Sequence, residues 1–225
     1  MILSIETSTE VCSVAIHQNG VLLAESTSIE AYSHAERLAP MIQTILADNN
    51  ISKNDLTAIA VSSGPGSYTG LRIGASTAKG LCFALDIPLI TINTLESMLV
   101  GLPQEYSEFI KCPMIDARRM EVYCLVADSQ NKLIEEVHAK IIDENSFNDT
   151  LSAEKVVFYG NGAAKCKAVI SSQNASFIDH ITPCARNIGA LGSIKYEDNN
   201  FADLAYFEPE YLKPYLAIKA KNPLA

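Results

Sequence analysis

The run Gly64-Pro65-Gly66-Ser67-Tyr68-Thr69-Gly70-Leu71-Arg72 holds the densest chemistry in this sequence of 225 residues. A glycine-rich turn between a strand and a helix start offers backbone N–H groups to an anion. The run is not a Walker loop, because no Gly-Lys-Ser/Thr follows, and it does not match GxGxxG. Two readings therefore stand. Gly64, Gly66 and Ser67 contact a phosphate, or the run is a tight turn in which Ser67 or Thr69 caps the next helix. Two carboxylates form a second group. Glu6-Thr7-Ser8 ends the first strand, and Asp116 ends a strand in the second half, ahead of Ala117-Arg118-Arg119-Met120-Glu121. If the two strand ends face one cleft, Glu6 and Asp116 can hold a metal ion or polarise water, with Thr7, Ser8 and Arg118 as further cleft or phosphate contacts. The plainer reading has each carboxylate capping its own turn, with Asp116, Arg118, Arg119 and Glu121 pairing at the surface.

Other reactive types are scattered. His17, His34, His138 and His180 form no HxxxH or HExxH, and no Ser/His/Asp or Cys/His arrangement can be built from spacing. The six cysteines form no CxxC and no zinc pattern, and most sit in apolar stretches such as Leu81-Cys82-Phe83. They read as reduced, buried, small hydrophobes.

Gly70, Gly74, Ala78 and Cys82 recur every four residues and draw a narrow stripe of small side chains along one helix. That stripe either packs on the chain's own sheet or lets a helix of another subunit approach closely. In the second case Leu71, Ala75 and Leu85 serve the core.

The elements that position these residues repeat. Ile2–Glu6, Val11–His17 and Val21–Ser26 read as strands, with Asn19-Gly20 as a hairpin turn. His34–Asp48 has helical spacing, with Leu38, Ile42 and Ile45 on one face and Ser33 as its expected cap. Leu56–Ser62 is a strand, a helix runs to about Leu85, and Pro88–Ile92 is a strand. Asn93 with Glu96 fits a helix start. The second half reopens with Cys112–Asp116, Glu121–Asp128 and Leu133–Val137, then Val156–Tyr159 and a helix over Asn187–Tyr196. A meander followed by alternating helices and strands, made twice, predicts a duplicated α/β fold. The expected form is two ribonuclease-H-like (actin-like) domains, residues 1–102 and 103–225, each a mixed sheet flanked by helices, with the boundary near Pro103.

Composition narrows the partners. Hydrophobic residues make up 48% and charged residues 19%, the balance of a folded chain. With 17 Lys+Arg against 26 Asp+Glu, the net charge of −9 disfavours holding nucleic acid alone. No apolar run approaches the ~20 residues that cross a bilayer. Met1–Ile5 already reads as strand, with no basic and apolar leader before it, so the chain is expected in the cytosol.

Ile5-Glu6-Thr7-Ser8, Ser33-His34-Ala35-Glu36-Arg37-Leu38, Gly64–Gly74 and Asp116–Tyr123 together resemble the bacterial TsaB (YeaZ) family. Specific motifs cover roughly the first 125 residues. Beyond them, Tyr211-Leu212-Lys213-Pro214 also resembles the family.

The resemblance implies a non-catalytic subunit of the complex that moves threonylcarbamoyl from its adenylate to an adenosine beside the tRNA anticodon. It implies a TsaD-type catalytic partner, a TsaE-type ATPase, contact with tRNA only through the complex, and a homodimer when alone. The partner interface is expected on the two N-terminal helices, at His34, Leu38, Ile42, Gly70, Ile73, Gly74, Thr77 and Ala78. No cofactor is expected on this chain, since ATP and a metal ion belong to the partners. Thr94 and Met98 stand where catalytic relatives carry an HxxxH metal pair, and neither supplies an imidazole. Glu6-Thr7-Ser8-Thr9 lacks the Asp-Gly of nucleotide-binding relatives. The alternative is an ATP-binding phosphotransferase or ATPase using Glu6, Asp116 and the Gly64–Gly70 loop. No nucleophile–base pair speaks for a peptidase.

Overall fold

Strand β1 (Ile2–Glu6) is buried at every position. Side chains alternate across a strand, so this requires both faces of its sheet to be covered. The computed structural model describes residues 1–29 and 34–213. β1 is central in a five-stranded sheet with β2 (Cys12–Gln18), β3 (Val21–Ser28), β4 (Ala58–Gly64) and β5 (Leu89–Asn93), ordered β3-β2-β1-β4-β5. The first three strands pair antiparallel, while β4 and β5 run parallel to β1. The β2–β3 turn is Asn19-Gly20, with φ of 50° and 77°, as its residue types predict.

On one face, Leu3 and Ile5 meet Leu38, Ile42 and Ile45 of α1 (His34–Asp48) and Ala78 and Cys82 of α2 (Tyr68–Leu85). Ser33, the expected cap of α1, lies outside the described residues.

α3 (Thr94–Met98) starts where Asn93 Oδ1 accepts the Leu95 and Glu96 N–H groups. The second sheet comprises β6 (Ile110–Asp116), β7 (Glu121–Ala127), β8 (Leu133–Ile141), β9 (Val156–Tyr159) and β10 (Ala175–Ile178). Its order, β10-β9-β6-β7-β8, repeats the first with the same mixture of directions. The chain is therefore a duplicated ribonuclease-H-like α/β protein. The short elements β10 and α4 (Asn148–Ala153) are not legible in the sequence, because four to six residues show too little periodicity.

After α5 (Ala163–Cys166), the last helix among the described residues, α6 (Ala185–Glu197), returns across the boundary expected at 102/103. Its Ile188 covers the other face of the first sheet, against Ile2, Ala58, Ala60, Ile90 and Ile92. α3 crosses the other way. Leu95 and Met98 pack on Ile115, Leu125, Val157 and Tyr159 of the second sheet, and the Tyr159 hydroxyl donates to the Met98 carbonyl at 3.1 Å. A segment from the end of α6 then straps the first half. The Ala202 N–H donates to Leu89 O at 2.8 Å, Lys79 Nζ to Phe207 O at 3.0 Å and the Glu210 N–H to Ser63 O at 2.7 Å.

All six cysteines are free, and five are buried. Burial pushes the Cys12, Cys82 and Cys166 thiols up to about 11, which keeps them unreactive. Two histidines, His17 and His34, are buried rather than on the surface.

Candidate functional site

The loop from β4 to α2 closes on the first turn of the chain. Ser67 caps α2, its Oγ accepting the Gly70 N–H at 3.3 Å. The Ser67 N–H donates to Ser8 O at 2.6 Å, and the Thr7 hydroxyl donates to Gly70 O at 2.8 Å. The approach is close enough that a Cβ at Gly66 would fall on the Ser8 carbonyl, and one at Gly70 on the Thr7 carbonyl. Glu6, Thr7, Ser8 and Gly64 are consequently buried, Gly66 is half-buried and only Ser67 is exposed. The capping reading of the glycine run fits this geometry. The corner where a phosphate would sit between these turns is filled by the chain's own backbone.

Glu6 is fully buried. Oε1 accepts the Ser8 N–H at 2.5 Å, while Oε2 and the Ser62 hydroxyl make no hydrogen bond among the described residues. Burial pushes the carboxyl above its ordinary value, and the Ser8 hydrogen bond only partly opposes this. A carboxyl raised by folding binds more protons folded than unfolded. Its contribution is complete below the ordinary carboxylate value and is lost as pH rises through the raised one. Glu6→Gln keeps an acceptor for Ser8 and removes the titration. The variant should therefore lose less thermal stability than the wild type between about pH 5 and about pH 8. Parallel melting curves for the two proteins across that range would contradict this placement of Glu6.

Asp116 and Arg118 are exposed. Asp116 Oδ1 accepts the Arg118 N–H at 2.8 Å, and the carboxylate pairs with Lys165. Glu121 pairs with Lys213. The expected pairing of Asp116, Arg118, Arg119 and Glu121 with one another is thus replaced, because two lysines from distant segments reach the carboxylates first. Glu6 is sealed while Asp116 is exposed and lysine-bound, so the two are not presented together as a carboxylate pair. Among the described residues no group of three His, Cys, Asp or Glu side chains is arranged to hold a metal ion. Thr94 and Met98 are both fully buried, Met98 in the core that α3 forms with the second sheet.

A recess of about 300 Å³ lies where the halves meet, lined by Ser63, Asn93, Glu96, Glu136, Lys195 and Glu210 among others. Burial raises the Glu96 carboxyl, with Lys195 opposing.

The helical stripe faces inward. Gly70, Gly74, Ala78 and Cys82 are buried together with Leu71 and Ala75. A Cβ at Gly74 would fall on Thr7 Oγ1. Of the eight residues expected at a partner interface, His34, Leu38, Ile42, Gly70, Gly74 and Ala78 are buried in the chain's own fold. Only Ile73 and Thr77 reach the surface, both half-buried. The stripe is narrow because α2 must press against the Thr7 turn.

The outward face of α2 carries Thr69, Arg72, Ser76, Gly80 and Phe83, and α1 adds Ala35 and Ala39. Phe83 is 82% exposed. A groove of about 690 Å³ runs between the helices, lined by Ala35, Tyr68, Thr69, Arg72, Ile73, Ser76 and Thr77. At its rim Tyr211 packs on Tyr68, the rings tilted by 35° with centroids 4.5 Å apart, and Arg72 Nε donates to the Tyr211 hydroxyl at 3.2 Å. Sequence reasoning gave Phe83 no role at a surface and placed Tyr211 only in the family-like run Tyr211–Pro214. Phe83 sits just off the buried stripe, so a helical projection flags it. Tyr211 is distant in the chain, so nothing local ties it to Tyr68.

A family model described as TsaD, tRNA N6-adenosine threonylcarbamoyltransferase, matches residues 25–223. The chain is 35% identical over 136 residues to the tRNA threonylcarbamoyladenosine biosynthesis protein TsaB of Bacillus subtilis, covering 60% of this chain and 58% of that protein. It is 39% identical over 122 residues to the protein of the same name from Escherichia coli, covering 54% and 52%. The chain thus spans about half the length of these curated relatives. The solved structure of YeaZ from Pseudomonas aeruginosa superposes with a TM-score of 0.79 at 25% identity, covering 94% of this chain and 99% of that one. No helix among the described residues is long and apolar enough to cross a membrane.

Proposed function

The chain belongs to the TsaB (YeaZ) branch of the family that the TsaD model describes, and on that premise we propose that it serves the making of threonylcarbamoyladenosine in tRNA as a non-catalytic subunit. It docks a TsaD-type catalytic partner and activates it. The complex, joined by a TsaE-type ATPase, moves threonylcarbamoyl from its adenylate to the adenosine next to the anticodon. ATP and the metal ion belong to the partner subunits, and the site of action is the cytoplasm.

The observation that carries this reading is the outer face of α1 and α2. It presents the small side chains Ala35, Ala39, Ser76 and Gly80, a groove lined in part by Arg72 and Ile73, and the 82% exposed ring of Phe83 further along α2. Exposed Phe83 on the same helix as the groove offers a partner an aromatic anchor. The chemistry that would make the chain an enzyme is weakly supported by contrast. Glu6 is sealed, the Gly64–Gly70 loop lies on the Thr7 turn, and Thr94 and Met98 are core residues. In the absence of its partner the same face pairs two copies of the chain about a two-fold axis.

The test is a calorimetric titration against a TsaD-type protein. Binding that is lost when the outer face of α2 is altered, with the fold intact, is the expected result. Binding indifferent to that face would move the contact elsewhere.

A further inference from the structure

We infer that the Arg118-Arg119 turn is a surface that grips the phosphodiester backbone of RNA. The inference rests on the reading of the chain as part of a tRNA-modifying complex and adds a direct RNA contact on this subunit.

The first observation is backbone strain. Arg118 and Arg119 both adopt left-handed conformations, with φ of 70° and 53°. Such angles suit Asn and Gly and cost bulkier residues about 1–2 kcal/mol each. The chain uses Asn19-Gly20 for the same consecutive pair of angles elsewhere. Two arginines here carry a cost that turn formation alone does not require.

The second observation is how firmly the turn is held while its side chains are left over. The Arg118 N–H donates to Asp116 Oδ1, and Lys165 Nζ donates to Arg119 O at 2.8 Å and Glu121 O at 2.6 Å. The neighbouring carboxylates are occupied, Asp116 by Lys165 and Glu121 by Lys213. Among the described residues neither guanidinium makes a hydrogen bond or an ion pair, and both arginines are exposed. A rigid base with two unused donor forks fits an oxyanion that accepts two N–H bonds at once.

The third observation is continuity. Lys213 also reaches the Ala117 carbonyl, at 3.5 Å, and Leu212 alone separates it from Tyr211. Tyr211, 37% exposed, packs at a tilt on Tyr68, with Arg72 over the Tyr68 ring at 4.1 Å. Lys213 thus ties the turn to the Tyr68, Tyr211 and Arg72 cluster, while its own charge is taken by Glu121. Glu208 acts on Arg72 from the flank but does not bind its guanidinium. On a chain of net charge −9, two adjacent unpaired arginines on one exposed turn are a local site for phosphate, and in a tRNA-modifying complex the phosphates at hand are those of RNA.

The experiment is a fluorescence-anisotropy titration of a labelled tRNA anticodon stem-loop from about 50 to about 200 mM KCl. It is run with the full chain alone and with the chain mixed with its TsaD-type partner, and calorimetry separately reports whether that complex forms. R118Q/R119Q should lower RNA affinity roughly tenfold at the low-salt end. It should also reduce the salt slope by about 1.4 to 1.8, two phosphates at about 0.7 to 0.9 each. R118K/R119K should keep most of the slope, because charge is conserved. An unchanged slope in R118Q/R119Q overturns the inference. So does loss of protein–protein affinity with RNA binding intact, which would assign the turn to an acidic protein. If calorimetry shows no complex, the subunit reading fails, and the titration of the chain alone still decides the RNA contact.

Discussion

Gly70→Ala should destabilise the chain by about 3 kcal/mol, whereas Gly80→Ala in the same helix should stabilise it by about 0.5–1 kcal/mol. The two substitutions add the same methyl group, and only their surroundings differ. At Gly70 the new Cβ would fall on the Thr7 carbonyl oxygen, a backbone atom held by the β1–β2 turn. The helix must lift or the turn must shift, and either change disturbs the Thr7 hydroxyl bond to Gly70 O and the buried face of α2. At Gly80 nothing lies within 4 Å, so only the helix-forming advantage of alanine remains. Urea denaturation of both variants reads the difference directly. A Gly70→Ala chain as stable as wild type but poor at binding its partner would show that the small-residue stripe faces outward after all.

Phe83→Ala should weaken binding to a TsaD-type partner roughly thirtyfold, about 2 kcal/mol, and leave the unfolding midpoint unchanged. Its ring is 82% exposed, so truncation removes almost no packing from the free chain. In a docked state the same ring would be buried, and a buried aromatic at the centre of an interface is commonly worth that much. Ile73→Glu, half-buried one helical face along, should act in the same direction by placing a carboxylate in the groove. Full affinity in both variants would remove the α1–α2 face from the account.

Much of the fold is legible because its signals are local. The Asn19-Gly20 turn, the Leu38-Ile42-Ile45 spacing and the Asn93 helix start each depend on neighbours within a few residues, and each appears where expected. The duplication is legible for the same reason, since both halves open with a meander ending its first strand in a carboxylate. What the sequence hides is which side of an element faces which neighbour. A stripe of Gly70, Gly74, Ala78 and Cys82 reports close approach but not to what, and the answer is the chain's own Thr7 turn. Likewise, Asp116 beside Arg118 and Arg119 suggests local pairing, while Lys165 and Lys213 arrive from far along the chain to take the carboxylates. The Tyr68–Tyr211 pair spans both ends of the molecule and leaves no periodic trace.

At the centre stands the claim that this subunit contributes a fitted surface and leaves bond-making to its partner. Omission of single components from a purified threonylcarbamoyl-transfer reaction on tRNA probes it most directly. The account predicts no transfer by this chain alone, little by the TsaD-type partner alone, and full transfer only when both are present with the ATPase. Transfer by this polypeptide on its own, or a partner indifferent to its addition, would contradict it.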